Sequence, residues 1–297
     1  MTYRHWFYLT LFFTVTLILV VGASSFAIDI FGVFRNPQGR QLRVYNNERT
    51  AKYLLNERYV PENFNGLLIG SSMSANWDVS AIQNFRIYNE SIAGGNATEE
   101  KLLIDQALPA GHFLIALCVF APEMTIDHDI KEKGMGTPSK AEALGSVTIL
   151  REEFRKEFDL LSREGPEYFP NGDRVIEAKK MLADWLPPVW PVDPEGIRDY
   201  DALLSELRSH EIKIVFVVPP VRANILEARR GFLQSYRLRV NPIRPGEALI
   251  DFNSNKYDEF RKNPDNYIDD AHLTPAGAQE ISRALNEELQ LILARQR

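Results

Sequence analysis

The chain reads as an α/β protein: a five-stranded parallel sheet with helices on both faces, an apolar N-terminal helix, and a helical insertion. Three observations predict this. Short strands, most of them largely apolar, are read at residues 67–69, 86–88, 113–120, 213–218 and 248–252. Helical patterns separate them, which points to right-handed βαβ units and parallel pairing. Residues 6–28 carry no charge.

That uncharged stretch is long enough to cross a hydrocarbon core, which takes about 20 residues. Trp6, Tyr8 and Phe26 suit the two interfaces. A cleaved signal peptide is the rival, since Ser25-Phe26-Ala27 has a small-x-small pattern. Signal cores run to about 15 residues, however, so an uncleaved single-pass anchor over 1–28 is the expectation. Arg4 precedes the span, and Arg35, Arg40 and Arg43 come after it. By the positive-inside count, the segment on the C-terminal side of the span would lie in the cytoplasm.

Residues 29–65 are mixed and polar, a juxtamembrane connector with one helix predicted over 45–59. A domain over 66–297 then begins with the strand at 67–69. Gly70 allows a sharp turn, and 73–84 is read as a helix. The second strand ends at Asn89. Thr98 is read as the cap of a helix over 98–108, with Glu99 and Glu100 in its first turn and Pro109 as its stop. An insertion of about 131–210 carries charged helices at 140–163, 173–185 and 195–210, and a Pro/Trp-rich link at 186–194. Only the last of these helices need be a crossover. Thr274-Pro275 caps a final amphipathic helix through 293.

Composition removes several classes. With 297 residues, 45% hydrophobic and 25% charged, a full core is available. A net charge of −6 and no basic patch with interleaved aromatics argue against nucleic acid. Cys118 is the only cysteine, so neither an intramolecular disulfide nor a cysteine zinc site can form. Asp127-His128-Asp129 reads as a polar loop, because adjacent residues rarely converge on one ion. Gly94-Gly95 and Gly134-x-Gly136 lack the spacing and the Lys-Ser/Thr of a phosphate loop. No metal or cofactor is expected.

Two stretches carry the candidate chemistry. In Gly66-Leu67-Leu68-Ile69-Gly70-Ser71-Ser72, a serine comes directly after a buried strand, where backbone N–H groups lie free to bind an oxyanion. A plain strand end with a serine cap is the alternative. In Asp269-Asp270-Ala271-His272-Leu273-Thr274-Pro275, a histidine precedes a capped helix with an acid three residues upstream. Such an acid can fix the tautomer of an imidazole that serves a nucleophile. Asp251 and Asp270 are rivals for the acid.

Ile69-Gly70-Ser71-Ser72 resembles the first block of the SGNH (GDSL-type) hydrolase superfamily, with Ser72 at the nucleophile. Asn89-Glu90-Ser91-Ile92-Ala93-Gly94-Gly95 is similar to the second block, whose glycine N–H helps form the oxyanion hole; Gly94 falls there. Asp269-x-x-His272 resembles the last block. The resemblance implies a flavodoxin-like five-stranded sheet, catalytic residues Ser72, His272 and Asp269, and oxyanion donors at Ser72 and Gly94. The third block departs: its Gly-x-Asn-Asp is replaced by Ala116-Leu117-Cys118-Val119-Phe120-Ala121, and Asn96 is a substitute donor to consider.

An anchor joined to such a domain is similar to membrane-anchored proteins of cell-surface polysaccharide and teichoic-acid acylation. That likeness implies an extracytoplasmic domain on the cytoplasmic membrane, against the arginine count. It also implies a membrane-bound O-acyltransferase partner and a carbohydrate polymer as acceptor. The function expected is a serine O-acyltransferase or esterase acting on acyl groups, acetyl foremost. The alternative is an inactive scaffold that binds a partner of an acylation or export complex through the insertion.

Overall fold

The computed structural model describes residues 2–29, 31–34, 48–125, 139–145, 150, 167–176 and 193–295. Its strands are β1 (Gly66–Ile69), β2 (Ile87–Asn89), β3 (Ile115–Val119), β4 (Glu167–Tyr168), β5 (Arg174–Val175), β6 (Lys213–Val218) and β7 (Ala248–Asp251). Five of them form one parallel sheet in the order β2-β1-β3-β6-β7, and β4 pairs antiparallel with β5. Every residue of β1, β2 and β3 is buried. Covering on both faces is why β1 and β3 read as unbroken apolar runs rather than alternations. The register sets Leu68 between Asn89 and Leu117. The chain leaves β1 for the edge at β2, then crosses back to β3 on the other side. That reversal opens a crevice at the carboxyl ends of β1 and β3, where α/β sheets place their sites.

The helices are α1 (Tyr3–Ile28), α2 (Glu48–Leu55), α3 (Tyr59–Asn63), α4 (Ala97–Ala107), α5 (Lys140–Gly145), α6 (Pro194–Ser209), α7 (Ala223–Arg239), α8 (Asp258–Lys262) and α9 (Pro275–Ala294). Among the described residues, α1 alone is long and apolar enough to cross a membrane, a property signal sequences share. Its large side chains stand exposed. At 26 residues it is about 39 Å long, more than a hydrocarbon core of about 30 Å requires.

Four local expectations are corrected. The single helix over 45–59 is broken at Asn56, whose side-chain amide leaves to donate to Leu103 O at 3.2 Å. The cap of α4 is Asn96, which accepts from Glu99 N at 3.1 Å; the Thr98 hydroxyl turns away to Asp199 on α6. Residues 173–185 do not begin as a helix, because Arg174–Val175 is a strand. The helix over 73–84 is replaced by tight turns and a single 3₁₀ turn, Val79–Ala81. Side chains take the carbonyls that a helix would use: Asn89 Nδ2 donates to Ser74 O at 3.0 Å and to Ala75 O at 3.2 Å.

The sequence reading also omits α7 and the β4–β5 hairpin. Arg229 interrupts the α7 face that Ile225, Phe232, Leu233 and Tyr236 form, and Tyr236 is its one buried residue, so the apolar stripe is a weak signal. Asp127-His128-Asp129, Gly134, Gly136, the 186–192 link, Arg35, Arg40, Arg43 and most of 140–163 lie outside the described residues.

Candidate active site

The turn after β1 is built for close approach. A Cβ at Gly70 would stand 2.3 Å from Ser74 Oγ and 2.6 Å from Val119 Cγ2, so only glycine fits between β1 and β3. Ser74 Oγ also donates to Ser71 O at 3.2 Å and meets Ser91 Oγ at 2.8 Å. These bonds turn Ser71 inward, where it is buried, and leave Ser72 half-buried at the crevice.

His272 arrives 200 residues later. Its Nε2 lies 2.8 Å from Ser72 Oγ, and its Nδ1 lies 2.7 Å from Asp269 Oδ2. An ionised carboxylate only accepts, so the proton belongs on Nδ1 and the Nε2 lone pair faces the serine O–H. The other carboxylate oxygen, Asp269 Oδ1, accepts from Ala271 N at 2.9 Å and His272 N at 2.8 Å. Burial works to raise the Asp269 pKa. The hydrogen bond and charge of His272, with the two backbone N–H groups, outweigh it and hold the carboxyl below its ordinary value.

The loop is pinned at both ends. Ile268 N donates to His272 O at 2.8 Å, and Asn76 Nδ2 donates to Leu273 O at 2.8 Å, tying it to the serine turn. Thr274 Oγ1 accepts from Gly277 N at 3.2 Å, the cap expected for α9. Of the rival acids, Asp251 pairs with Arg237 at 2.9 Å, and Asp270 lies 3.9 Å from Arg222.

Gly94 sits on the turn after β2 with φ +61°, a conformation that favours glycine. Glu90 N donates to Leu68 O at 2.8 Å and Ile92 N to Gly70 O at 3.3 Å, so this loop runs beside the serine turn. Glu48 accepts from Ala93 N at 3.0 Å and Arg49 donates to Ala93 O at 3.1 Å, bracing it from α2. Asn96 holds its oxygen on the first turn of α4.

One carboxyl escaped the sequence reading. Glu123, in the 3₁₀ turn Pro122–Thr125 after β3, is buried. The signal was there: an acid within the otherwise apolar Phe120-Ala121-Pro122-Glu123-Met124. Burial pushes its pKa up to about 7, while its own backbone N–H and the nearby His272 charge pull the other way.

Of two hollows, one is lined by Asn76 and Pro275 and the other by Met73, the residue after Ser72. A groove of about 740 Å³ runs between the β4–β5 hairpin and the start of α9, lined by Asn76, Asp78, Phe169, Arg174, Pro275 and Gln279 among others. The hairpin is held there by Asp173, which accepts from Val79 N at 3.1 Å and Asn89 Nδ2 at 3.1 Å. A narrow cavity of about 50 Å³ lies on the other side, between the β3 exit and α7.

No family model matches the chain, and no curated protein matches it either. Among solved structures the chain is similar to one provisionally described as a platelet activating factor from Streptococcus pneumonia. The two share 14% identity over 82% of this chain and 91% of that one, with a TM-score of 0.46.

Proposed function

We propose that the protein is a membrane-anchored serine O-acyltransferase or esterase of SGNH type. The observation that supports this best is the unbroken hydrogen-bonded line from Ser72 Oγ through His272 to Asp269, at 2.8 and 2.7 Å. In this reading His272 Nε2 takes the Ser72 proton as Oγ attacks an ester or thioester carbonyl. Asp269 holds the imidazolium that forms. The N–H groups of Ser72 and Gly94 receive the oxyanion. The tetrahedral intermediate collapses, the leaving group departs with the proton from His272, and the acyl group stays on Ser72. A sugar hydroxyl or water then attacks the acyl-enzyme, with His272 again as base.

The acceptor in this reading is a carbohydrate polymer lying along the hairpin groove. Exposed Phe169 offers an aromatic face there, among amide and carboxylate side chains that suit hydroxyl groups. The α1 helix anchors the domain on the outer side of the cytoplasmic membrane, beside a membrane-bound O-acyltransferase that supplies the acyl group. A second reading, an inactive scaffold for such a partner, draws on the lack of an amide side chain over 115–121. A fluorophosphonate probe decides between them. Full-length protein in detergent should be labelled and Ser72→Ala should not; wild-type protein that stays unlabelled would leave the scaffold.

A further inference from the structure

The resemblance puts an oxyanion-donating amide just past β3, and this chain has none. The residues that stand there instead are specific. Of residues 120–125, only Glu123 and Thr125 have polar side chains. The Thr125 hydroxyl donates to Pro122 O at 3.1 Å and lies 3.4 Å from Tyr236 Oη. Glu123 is different: it is 6% exposed, and its Oε2 meets no partner among the described residues. An unpaired polar oxygen at that depth carries a substantial desolvation cost.

Glu123 shares the narrow cavity with Met73, the residue after Ser72, and with Val221 and Ile225. Met73, Val221 and Ala271, the residue before His272, pack as one apolar cluster against Ile225. The cavity thus reaches the residue after Ser72, and the cluster that Met73 and Val221 share with Ala271 extends to the residue before His272. The other charged groups lining this cavity are Arg229 and Arg237 from α7, and the His272 charge acts on Glu123 from its own loop. Arg237 is held by Asp251 at the end of β7.

We propose that Glu123, as a neutral carboxylic acid, donates its O–H to the developing oxyanion at Ser72 and so fills the place of the missing amide. The assignment rests on the acyl-transfer reading above. The proton stays on Glu123 throughout; the hydrogen bond only strengthens as the carbonyl oxygen gains charge. With its pKa near 7, the carboxyl keeps this proton up to about neutral pH and then loses it. The carboxylate that remains has nothing to donate and repels the oxyanion.

The experiment is a pH profile of kcat and KM for p-nitrophenyl acetate hydrolysis by full-length protein in detergent, for wild type, Ser72→Ala, Glu123→Leu and Glu123→Gln. Glu123→Leu should lower kcat about 10²–10³-fold with little change in KM, at an unchanged or higher Tm. Glu123→Gln, whose amide donates at every pH, should hold kcat within about tenfold and lack the alkaline fall expected of wild type near 7. Full activity in Glu123→Leu, or an unaltered alkaline limb in Glu123→Gln, overturns the assignment. Should Glu123→Leu not fold, the Glu123→Gln profile decides alone. Absence of any Ser72-dependent turnover in wild type strikes the acyl-transfer reading itself. Turnover indifferent to residue 123 strikes only the role of Glu123.

Discussion

The loop that carries His272 and the loop that leaves β3 each enclose a carboxyl almost completely, with Asp269 7% exposed and Glu123 6% exposed. Their chemistry diverges all the same. Asp269 receives two backbone N–H groups and the imidazole Nδ1, and its pKa falls below the ordinary value. Among the described residues, Glu123 has its own backbone N–H and the more remote His272 charge, and its pKa climbs to about 7. Enclosure by itself does not decide whether an acid is charged; the donors aimed at it do. One acid stays ionised beside the imidazole, and the other keeps a proton into the neutral range.

The hardest test of this contrast is Asp269→Asn. The amide can present an N–H to Nδ1 and favour the wrong tautomer, so Ser72-dependent turnover should fall by roughly 10³–10⁴-fold with the fold intact by circular dichroism. A loss of less than tenfold would make Asp269 a loop brace only. Next comes the serine turn. Gly70→Ala forces a Cβ against Ser74 Oγ and Val119 Cγ2, so it should cost about 1–3 kcal/mol in urea denaturation and lower fluorophosphonate labelling as well.

The two acids should also pull stability in opposite directions with pH. Folded Glu123 keeps a proton that the unfolded chain sheds between 4.5 and about 7, so stability falls as pH rises through that window. Asp269 contributes stability above its ordinary 3.8 and loses it as pH falls through its lowered value. Urea midpoints should therefore drop from pH 5 to 8 in wild type and drop less in Glu123→Gln. A remainder should persist, since burial pushes Glu90 and Asp173 up to about 8. Asp269→Asn should leave that slope as it is. The smallest effect is Thr274→Ala, which removes the α9 cap and should cost about 1 kcal/mol by the same assay.

The legibility of each element in the sequence depends on where its determining contacts lie. β1, β6 and the capped start of α9 are local statements: an apolar run, another apolar run, and Thr-Pro before an amphipathic pattern. The residues that meet at the site were legible too, because their neighbours in the chain mark them: a glycine before Ser72, and an acid three residues before His272. The turn after Ser72 was not. A helix is stopped there by Asn89, reaching over from β2 to claim two carbonyls some 14 and 15 residues back. Nor was α7, whose apolar face is interrupted by Arg229 and buried only at Tyr236. Glu123 was visible as an acid in an apolar run, but its isolation depends on walls that come from α7 and from the turn beside Ser72.

Lys52 has a practical bearing on how the protein can be handled. It is 1% exposed and gives its ammonium to Asn89 O at 2.7 Å and Ser91 O at 2.8 Å. Around it, Ala51, Leu54, Leu55, Tyr59 and Val60 belong to the same core as the sheet. A water-soluble version that began at the first strand would strip two carbonyls of their cation and uncover an oily flank. Trimming should stop ahead of Glu48, so that the hydrophobic span is lost and the seam beneath the second strand stays sewn.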